Sequence, residues 1–183
     1  MTDEQLAEMA AAGDQDAFTG IYERYKRALF NFSWRLLGEA GLAEDAAQEA
    51  LISVLRHIQH FDAAKGSFRT WIFTIARNEC RHSLKMRRWW SFGEKSEDGH
   101  LFDKATATDS RPSLEGRLDI EKALRRLPTK YLLPPVLCKL HGLSTRECAE
   151  MLKLSEVNVK QRVFRAVHQL HEIMSPGNKR NRV

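Results

Sequence analysis

Residues 67–90 read SFRTWIFTIARNECRHSLKMRRWW, a stretch in which six Arg or Lys and five Phe or Trp share twenty-four residues with one acid, Glu79. On a helix, Thr70, Arg77, Arg81 and Arg88 fall within roughly 40° of one another, while Phe68, Ile72, Ala76 and Cys80 fall on another side. The pattern predicts one buried face and one cationic face. Arg and Lys neutralise phosphates, and planar rings such as Phe68, Trp71, Phe73, Trp89 and Trp90 stack on unpaired bases, so the composition suits a single-stranded nucleic acid platform. A helix with buried rings and an ordinary solvated cationic face carries the same pattern.

Upstream of this stretch, Phe61 to Ser67 (FDAAKGS) reads as a short loop with Lys65 and Gly66 at its tip. The helix before the loop buries Ala47, Leu51, Val54, Ile58 and Phe61 and turns Asp45, Gln48, Glu49, Ile52 and Arg56 outward. Asp45, Gln48, Glu49 and Ile52 stand at i, i+3, i+4 and i+7, a compact acidic patch with an exposed apolar residue inside it. Such a patch fits a protein partner with basic side chains. Acids such as Glu44 and Asp45 also complement a helix dipole, and a carboxylate metal site has little support because no His or further acid stands at ligand spacing. Earlier still, Phe18, Tyr22, Tyr25, Leu29, Phe32 and Leu36 predict a long amphipathic helix ending near Gly38 and Gly41. A shorter helix from about Asp3 to Ala12 precedes it.

Downstream of Trp90 the helical period dissolves, and Ser91 to Arg111, rich in Gly, Ser, Asp and Thr, reads as a flexible linker. A second set of short helices follows. Leu114 to Leu127 is stopped by Pro128, and Thr129 to His141 carries Pro134 and Pro135 where they kink it or delay its start. Ser144-Thr145-Arg146-Glu147 is a capping box opening a helix through Lys153. Ser155 caps the last helix, whose buried side is Val159, Val163, Ala166, Leu170 and Ile173. Two capped helices joined by so short a turn make a helix-turn-helix, and Asn158, Gln161, Arg162 and Arg165 share the exposed side of its second helix. Asn, Gln and Arg are the side chains that hydrogen-bond base edges in the major groove. A small helical bundle with a polar face is the plainer alternative.

The chain has 183 residues, 43% hydrophobic and 29% charged, with a net charge of +5, which fits one or two small soluble domains. The charge is unevenly placed. Residues 1–62 hold 5 basic and 11 acidic side chains, 63–90 hold 7 and 1, 91–111 hold 3 and 5, and 112–183 hold 14 and 7. Two basic regions separated by acidic ones imply two surfaces for a polyanion and a further surface for something else. Cys80, Cys138 and Cys148 are far apart and lack a CxxC pair, so neither a disulfide framework nor a thiolate zinc site is indicated. The pairs His57/His60 and His168/His171 lack an evident third metal ligand. The first residues, MTDEQLAEMAAAGDQDAF, have no apolar core segment and do not read as a signal peptide. No run approaches a membrane span, and a reducing cytoplasm is the expected location.

Four segments, GDQDAFTGIYERY, AEDAAQEALISVL, FRTWIFTIARNECRH and LRRLPTKYLLPPVLCKLHGLSTRECAEMLKLSEVNVKQRVFRAVHQL, resemble extracytoplasmic-function (ECF, group 4) RNA polymerase sigma factors, in that family's order and spacing. The resemblance implies an all-α protein of two small helical domains: residues 1–90 for polymerase binding and minus-ten recognition, a linker 91–111, a helix-turn-helix domain 112–175 for the minus-thirty-five element, and a basic tail 176–183. It implies that Asp45, Gln48 and Glu49, with Ile52 in their patch, grip the polymerase clamp. It implies that Lys65, Ser67, Phe68, Arg69, Thr70, Trp71, Arg77, Asn78 and Arg81 read and melt the minus-ten region, and that Ser155, Asn158, Lys160, Gln161, Arg162 and Arg165 contact the minus-thirty-five element. The partners it implies are core RNA polymerase, promoter DNA as duplex and melted strand, and an anti-sigma factor, with no catalytic residue, metal, cofactor or small-molecule substrate. Three departures stand out: Lys153 and Val157 where the family often has Gly, which implies mild strain; Ala50-Leu51 in place of an aromatic, which implies weaker docking; and Asn158 in place of Thr. A stand-alone helix-turn-helix regulator and a metal-dependent nuclease using Glu44, Asp45, Glu49 and Asp62 are the competing readings.

Overall fold

The computed structural model describes residues 1–91 and 115–174, with side chains for 1–86 and 120–174. The tail from Ser175 and the expected linker, apart from Ser91, lie outside the described residues. The chain divides into two compact units, Met1–Ala107 and Thr108–Val183. All described elements are helical.

In the first unit, α1 (Asp3–Ala11) starts at a Thr2/Gln5 capping box and buries Leu6 and Ala7. Its Leu6 lies against α2 (Gln15–Leu37) so closely that a Cβ on Gly20 would sit 3.3 Å from Leu6 Cδ2. Asp14 caps α2 by accepting the N–H groups of Asp16 and Ala17, and Gly38, at φ 72°, ends it in the left-handed conformation that costs Gly least. Gly41 ends nothing: it lies in the first turn of α3 (Ala40–His57), so Glu44 and Asp45 are not first-turn acids. A 3-10 turn, Ile58–His60, leads to the loop, and Ser67 then caps α4 (Phe68–Ser91) by accepting Thr70 N–H at 3.2 Å.

The core lies among α2, α3 and α4, where Ile21, Leu29, Phe32, Val54, Phe68, Ile72 and Phe73 are each at most 1% exposed. Tyr25, Phe32 and Phe73 meet edge to face, with centroids at 5.3 and 6.4 Å. Cys80 Sγ donates to Ser33 Oγ at 3.4 Å inside this core, and burial pushes its thiol up to about 12. The sequence stripe on α2 is corrected at one point: Ile21 is fully buried, whereas Tyr22 is 42% exposed and Phe18 half-buried.

In the second unit, α5 (Glu115–Arg125) stops ahead of Pro128, and α6 (Thr129–Pro135) carries both prolines in its last turn. Proline lacks the N–H that continues the ladder, and Val136–Leu140 runs on as a wider π-helical turn, with His141 N–H bonded to Val136 O at 3.1 Å. Ser144 and Glu147 form the capping box of α7 (Thr145–Leu152), with bonds of 3.2 and 2.8 Å. Ser155 Oγ accepts Asn158 N–H at 3.2 Å to start α8 (Glu156–Met174). Lys153, between them, is left-handed at φ 54°, and among the described residues no other non-glycine has positive φ. Val157 is helical, so the strain expected there is absent. On α8 only Val159 and Ala166 are fully buried, while Val163, Leu170 and Ile173 are half-buried.

Candidate nucleic acid and protein interfaces

Packing sorts α3 into two faces. Ala43, Ala46, Ala47, Ala50, Leu51 and Val54 are buried, and Asp45, Gln48 and Glu49 are exposed around Ile52, itself 39% exposed. Ala50 and Leu51 belong to the core face, so their departure from the family pattern acts through packing and not as an absent surface contact. Beside the patch, α2 and α3 enclose an open groove of about 480 Å3, walled by Tyr22, Lys26 and Phe30 on one side and Gln48, Ile52 and Leu55 on the other. Sequence spacing along α3 finds the patch. It does not find the α2 wall, which only interhelical packing supplies. Among the described residues, no group of three His, Cys, Asp or Glu side chains is gathered as a metal would need.

The loop and α4 form a second surface. Asp62 accepts Ala64 N–H at 3.0 Å and pairs with Lys65 at 3.1 Å, which together hold its carboxyl below the usual range and give the loop its shape. Lys65, Arg69 and Asn78 are exposed; Ser67, Thr70, Trp71, Arg77 and Arg81 are half-buried. Ser67 and Thr70 bond each other across the first turn of α4 at 3.0 Å. Phe68 requires a correction. It is fully buried, edge-on to Tyr25 at 5.8 Å and to Phe61 at 5.2 Å, so its ring serves the core and faces no base, and the same holds for Phe73.

The rings of this surface that remain partly accessible are Trp71 and Phe61, tilted at 51° to each other with centroids 5.6 Å apart beside the loop. The buried stripe expected for α3 had claimed Phe61; the turn Ile58–His60 releases it to half-exposure next to Trp71. Further along α4, Arg77 and Arg81 lie one turn apart on one side. Burial and the neighbouring Arg81 charge both lower the pKa of Arg77, and its buried Nε has no hydrogen-bond partner among the described residues. Like charges held close together in a partly buried setting repel, and a nearby anion offsets that repulsion. The side chains of Arg88, Trp89 and Trp90 are not among those described.

The third surface is α8. Ser155, Asn158, Gln161 and Arg165 are exposed and Arg162 half-buried, and on α8 these side chains run along one flank of the buried Val159 and Ala166. Lys160 is exposed too, but helical spacing turns it about 160° from Asn158, and it stands apart from that group. It shares its side with Val157, Phe164 and Val167, which are 63%, 73% and 54% exposed. Tyr131 of α6, unnoticed in the sequence, accepts from Arg165 at 3.4 Å, and its hydroxyl pKa is lowered first by that bond. No local signal marks a pair 34 positions apart.

Comparison with known proteins bears on these surfaces together. Residues 21–90 match the family model "Sigma-70 region 2", and residues 117–170 match "Sigma-70, region 4". The chain is 31% identical to the ECF RNA polymerase sigma factor SigW of Bacillus subtilis over 169 residues, covering 87% of this chain and 90% of that relative. It is 30% identical to the RNA polymerase sigma factor CarQ of Myxococcus xanthus, covering 88% and 91%. Among solved structures it is similar to CnrH in complex with the cytosolic domain of CnrY, at TM-score 0.69 and 25% identity over 96% of this chain and 98% of that one. It is also similar to the sigma factor RpoE in complex with the anti-sigma factor NepR from Bartonella quintana, at TM-score 0.68 and 25% identity over 87% and 98%. With both sigma-70 regions matched in order and relatives aligned over nearly their whole length, the chain belongs to the ECF RNA polymerase sigma factors of the sigma-70 family.

Proposed function

We propose that this transcription initiation factor divides its work among the three surfaces. The α3 patch, Asp45, Gln48, Glu49 and Ile52, docks on core RNA polymerase, with the adjoining groove taking apolar side chains of the same partner. The loop and α4 capture and separate the minus-ten region: Lys65, Arg69, Arg77, Asn78 and Arg81 supply charge and polar contacts, while Trp71 with Phe61 supplies stacking. Unpairing and flipping a base costs a few kcal/mol, and stacking at about 1–3 kcal/mol per base together with phosphate neutralisation offsets it. Asn158, Gln161, Arg162 and Arg165 read the minus-thirty-five element from α8, and Ser155 holds the start of that helix.

The observation that carries this reading is the half-buried pair Arg77 and Arg81 on one side of α4, above a core that already consumes Phe68 and Phe73. The side of α8 bearing Phe164 and Val167 gives the second unit a protein-facing surface apart from its DNA-facing one, suited to an anti-sigma factor. The factor works by binding and has no bond-making chemistry of its own. No described helix is long and apolar enough to cross a membrane, and the proposed location is the cytoplasm. Residues 1–90 and 112–175 are the proposed domains, joined by 91–111 and followed by a tail from 176.

The test is Glu49→Lys. The side chain is exposed and the buried face of α3 is untouched, so the variant folds as the parent does. Reversing a docking charge should weaken binding to purified core polymerase at least about tenfold. Run-off transcription by the reconstituted holoenzyme falls with it. Parental affinity for core polymerase refutes the assignment.

A further inference from the structure

The first residues of α1 reach the start of α4. Asp3 Oδ1 accepts from Arg24, its Oδ2 accepts from the Tyr25 hydroxyl, and the same Oδ2 lies 3.7 Å from the guanidinium of Arg69. The Tyr25 hydroxyl and the Arg69 guanidinium thus approach the same carboxylate oxygen. One residue on, Glu4 Oε1 accepts the N–H of Phe68 at 3.3 Å, one of the first-turn donors that α4 cannot satisfy internally. Arg24, Tyr25 and Arg69 thus converge on one carboxylate that is only 14% exposed, while Arg69 keeps 48% of its side chain in solvent. The Tyr25 ring passes beneath this cluster and packs edge-on against Phe68.

Arg24, Tyr25, Phe68 and Arg69 lie in the segment that matches sigma-70 region 2, whereas Asp3 and Glu4 precede it, since it begins at Ile21, after α1 ends. We propose that Asp3 is a positioning residue for promoter opening: with Tyr25 it sets where the Arg69 guanidinium stands, while Glu4 fixes the first turn of α4, so that Arg69 and Trp71 meet the unpaired strand in one arrangement. This rests on the reading of the loop and α4 as the melting surface. The physical reason is entropic. A free Arg side chain loses rotamer freedom when it grips a phosphate, and a carboxylate that already restricts it removes part of that loss before DNA arrives. The Arg24 charge beside Asp3 keeps the carboxylate from gripping Arg69 as a private partner, consistent with the 3.7 Å separation.

The experiment uses full-length protein with core polymerase, on a linear duplex promoter selected with the parental holoenzyme from random-sequence DNA. The same promoter with its downstream element opened by mismatches is the second template. Asp3→Asn, Arg69→Gln, their double variant and Tyr25→Phe are compared for the rate at which thymines become permanganate-reactive, alongside core-polymerase affinity and thermal unfolding. Asp3→Asn should slow opening of the duplex about tenfold and add nothing in the Arg69→Gln background, as expected of two residues acting through one contact. Tyr25→Phe, which keeps the core ring, should slow opening in the same direction. In core affinity all stay within about twofold of the parent, and on the pre-opened template each defect is smaller than on the duplex. If Arg69→Gln opens the duplex at the parental rate, the melting surface is misassigned and the inference falls with it. If Arg69→Gln slows opening but Asp3→Asn does not, or the double variant shows the product of the two single defects, the inference alone is overturned. It is equally overturned if Asp3→Asn lowers the unfolding temperature and depresses both templates alike, the mark of a merely structural contact.

Discussion

Phe68→Leu separates a core ring from a base-stacking ring. Phe68 is fully buried, edge-on to Tyr25 at 75° and to Phe61 at 87°, and tilted to Trp71 with centroids 5.6 Å apart. Leucine keeps the site apolar but removes the ring from both edge-on pairs. At about 0.5–1.5 kcal/mol for each pair, the loss comes to about 1–3 kcal/mol, and the volume left unfilled adds in the same direction. For a unit of this size about 2 kcal/mol lowers the unfolding midpoint by about 8–16 °C. All 4 tryptophans, Trp34, Trp71, Trp89 and Trp90, lie in the first unit, so tryptophan fluorescence during urea unfolding reports that unit alone. A ring that stacked on an unpaired base would behave differently: its loss would cost about 1–3 kcal/mol of single-strand affinity and leave the unfolding curve in place. Unfolding at the parental urea concentration, combined with weakened binding of the holoenzyme to single-stranded DNA, refutes the burial argument.

Arg77→Gln and Arg81→Gln should slow opening of a duplex promoter more than they impair a pre-opened one, measured by permanganate reactivity; equal defects on both templates count against a melting role. On α8, Gln161→Ala should cost about 1–3 kcal/mol on a selected upstream element and little on a scrambled one, whereas Arg165→Ala should weaken both and lower the salt slope by about one unit. A uniform loss for Gln161→Ala, or an unchanged slope for Arg165→Ala, overturns those roles. Lys153→Gly should stabilise the second unit by about 0.5–1 kcal/mol, because relief of the left-handed backbone outweighs the extra freedom that Gly gives the unfolded chain. The side chain is exposed, and the N–H of Leu154 keeps its 2.9 Å bond to Ala149 O, so raised hydrogen-exchange protection in α7 and α8 is the readout, and lowered protection the refutation.

Much of this protein was legible from local sequence because its determinants are local. Capping at Ser144 and Ser155, the glycine stop at Gly38 and the four-three spacing of apolar residues are satisfied within a few positions, by hydrogen bonds and burial each helix needs for itself. The same spacing put Asp45, Gln48, Glu49 and Ile52 on the outward side of α3, and Asn158, Gln161 and Arg165 on that of α8. What sequence could not assign was the use of each aromatic ring. Period alone marks Phe61, Phe68, Trp71 and Phe73 as apolar; α2 and the turn Ile58–His60 decide that Phe68 and Phe73 go inside while Phe61 and Trp71 reach solvent together. Tyr22 and Ile21 changed places for a similar reason, since a helix covered on two sides buries a stripe that depends on where its neighbours lie. The contacts of Asp3 with Arg24 and Arg69, of Glu4 with Phe68 and of Arg165 with Tyr131 join residues 21 to 66 positions apart, and only folding brings such charges and donors within reach.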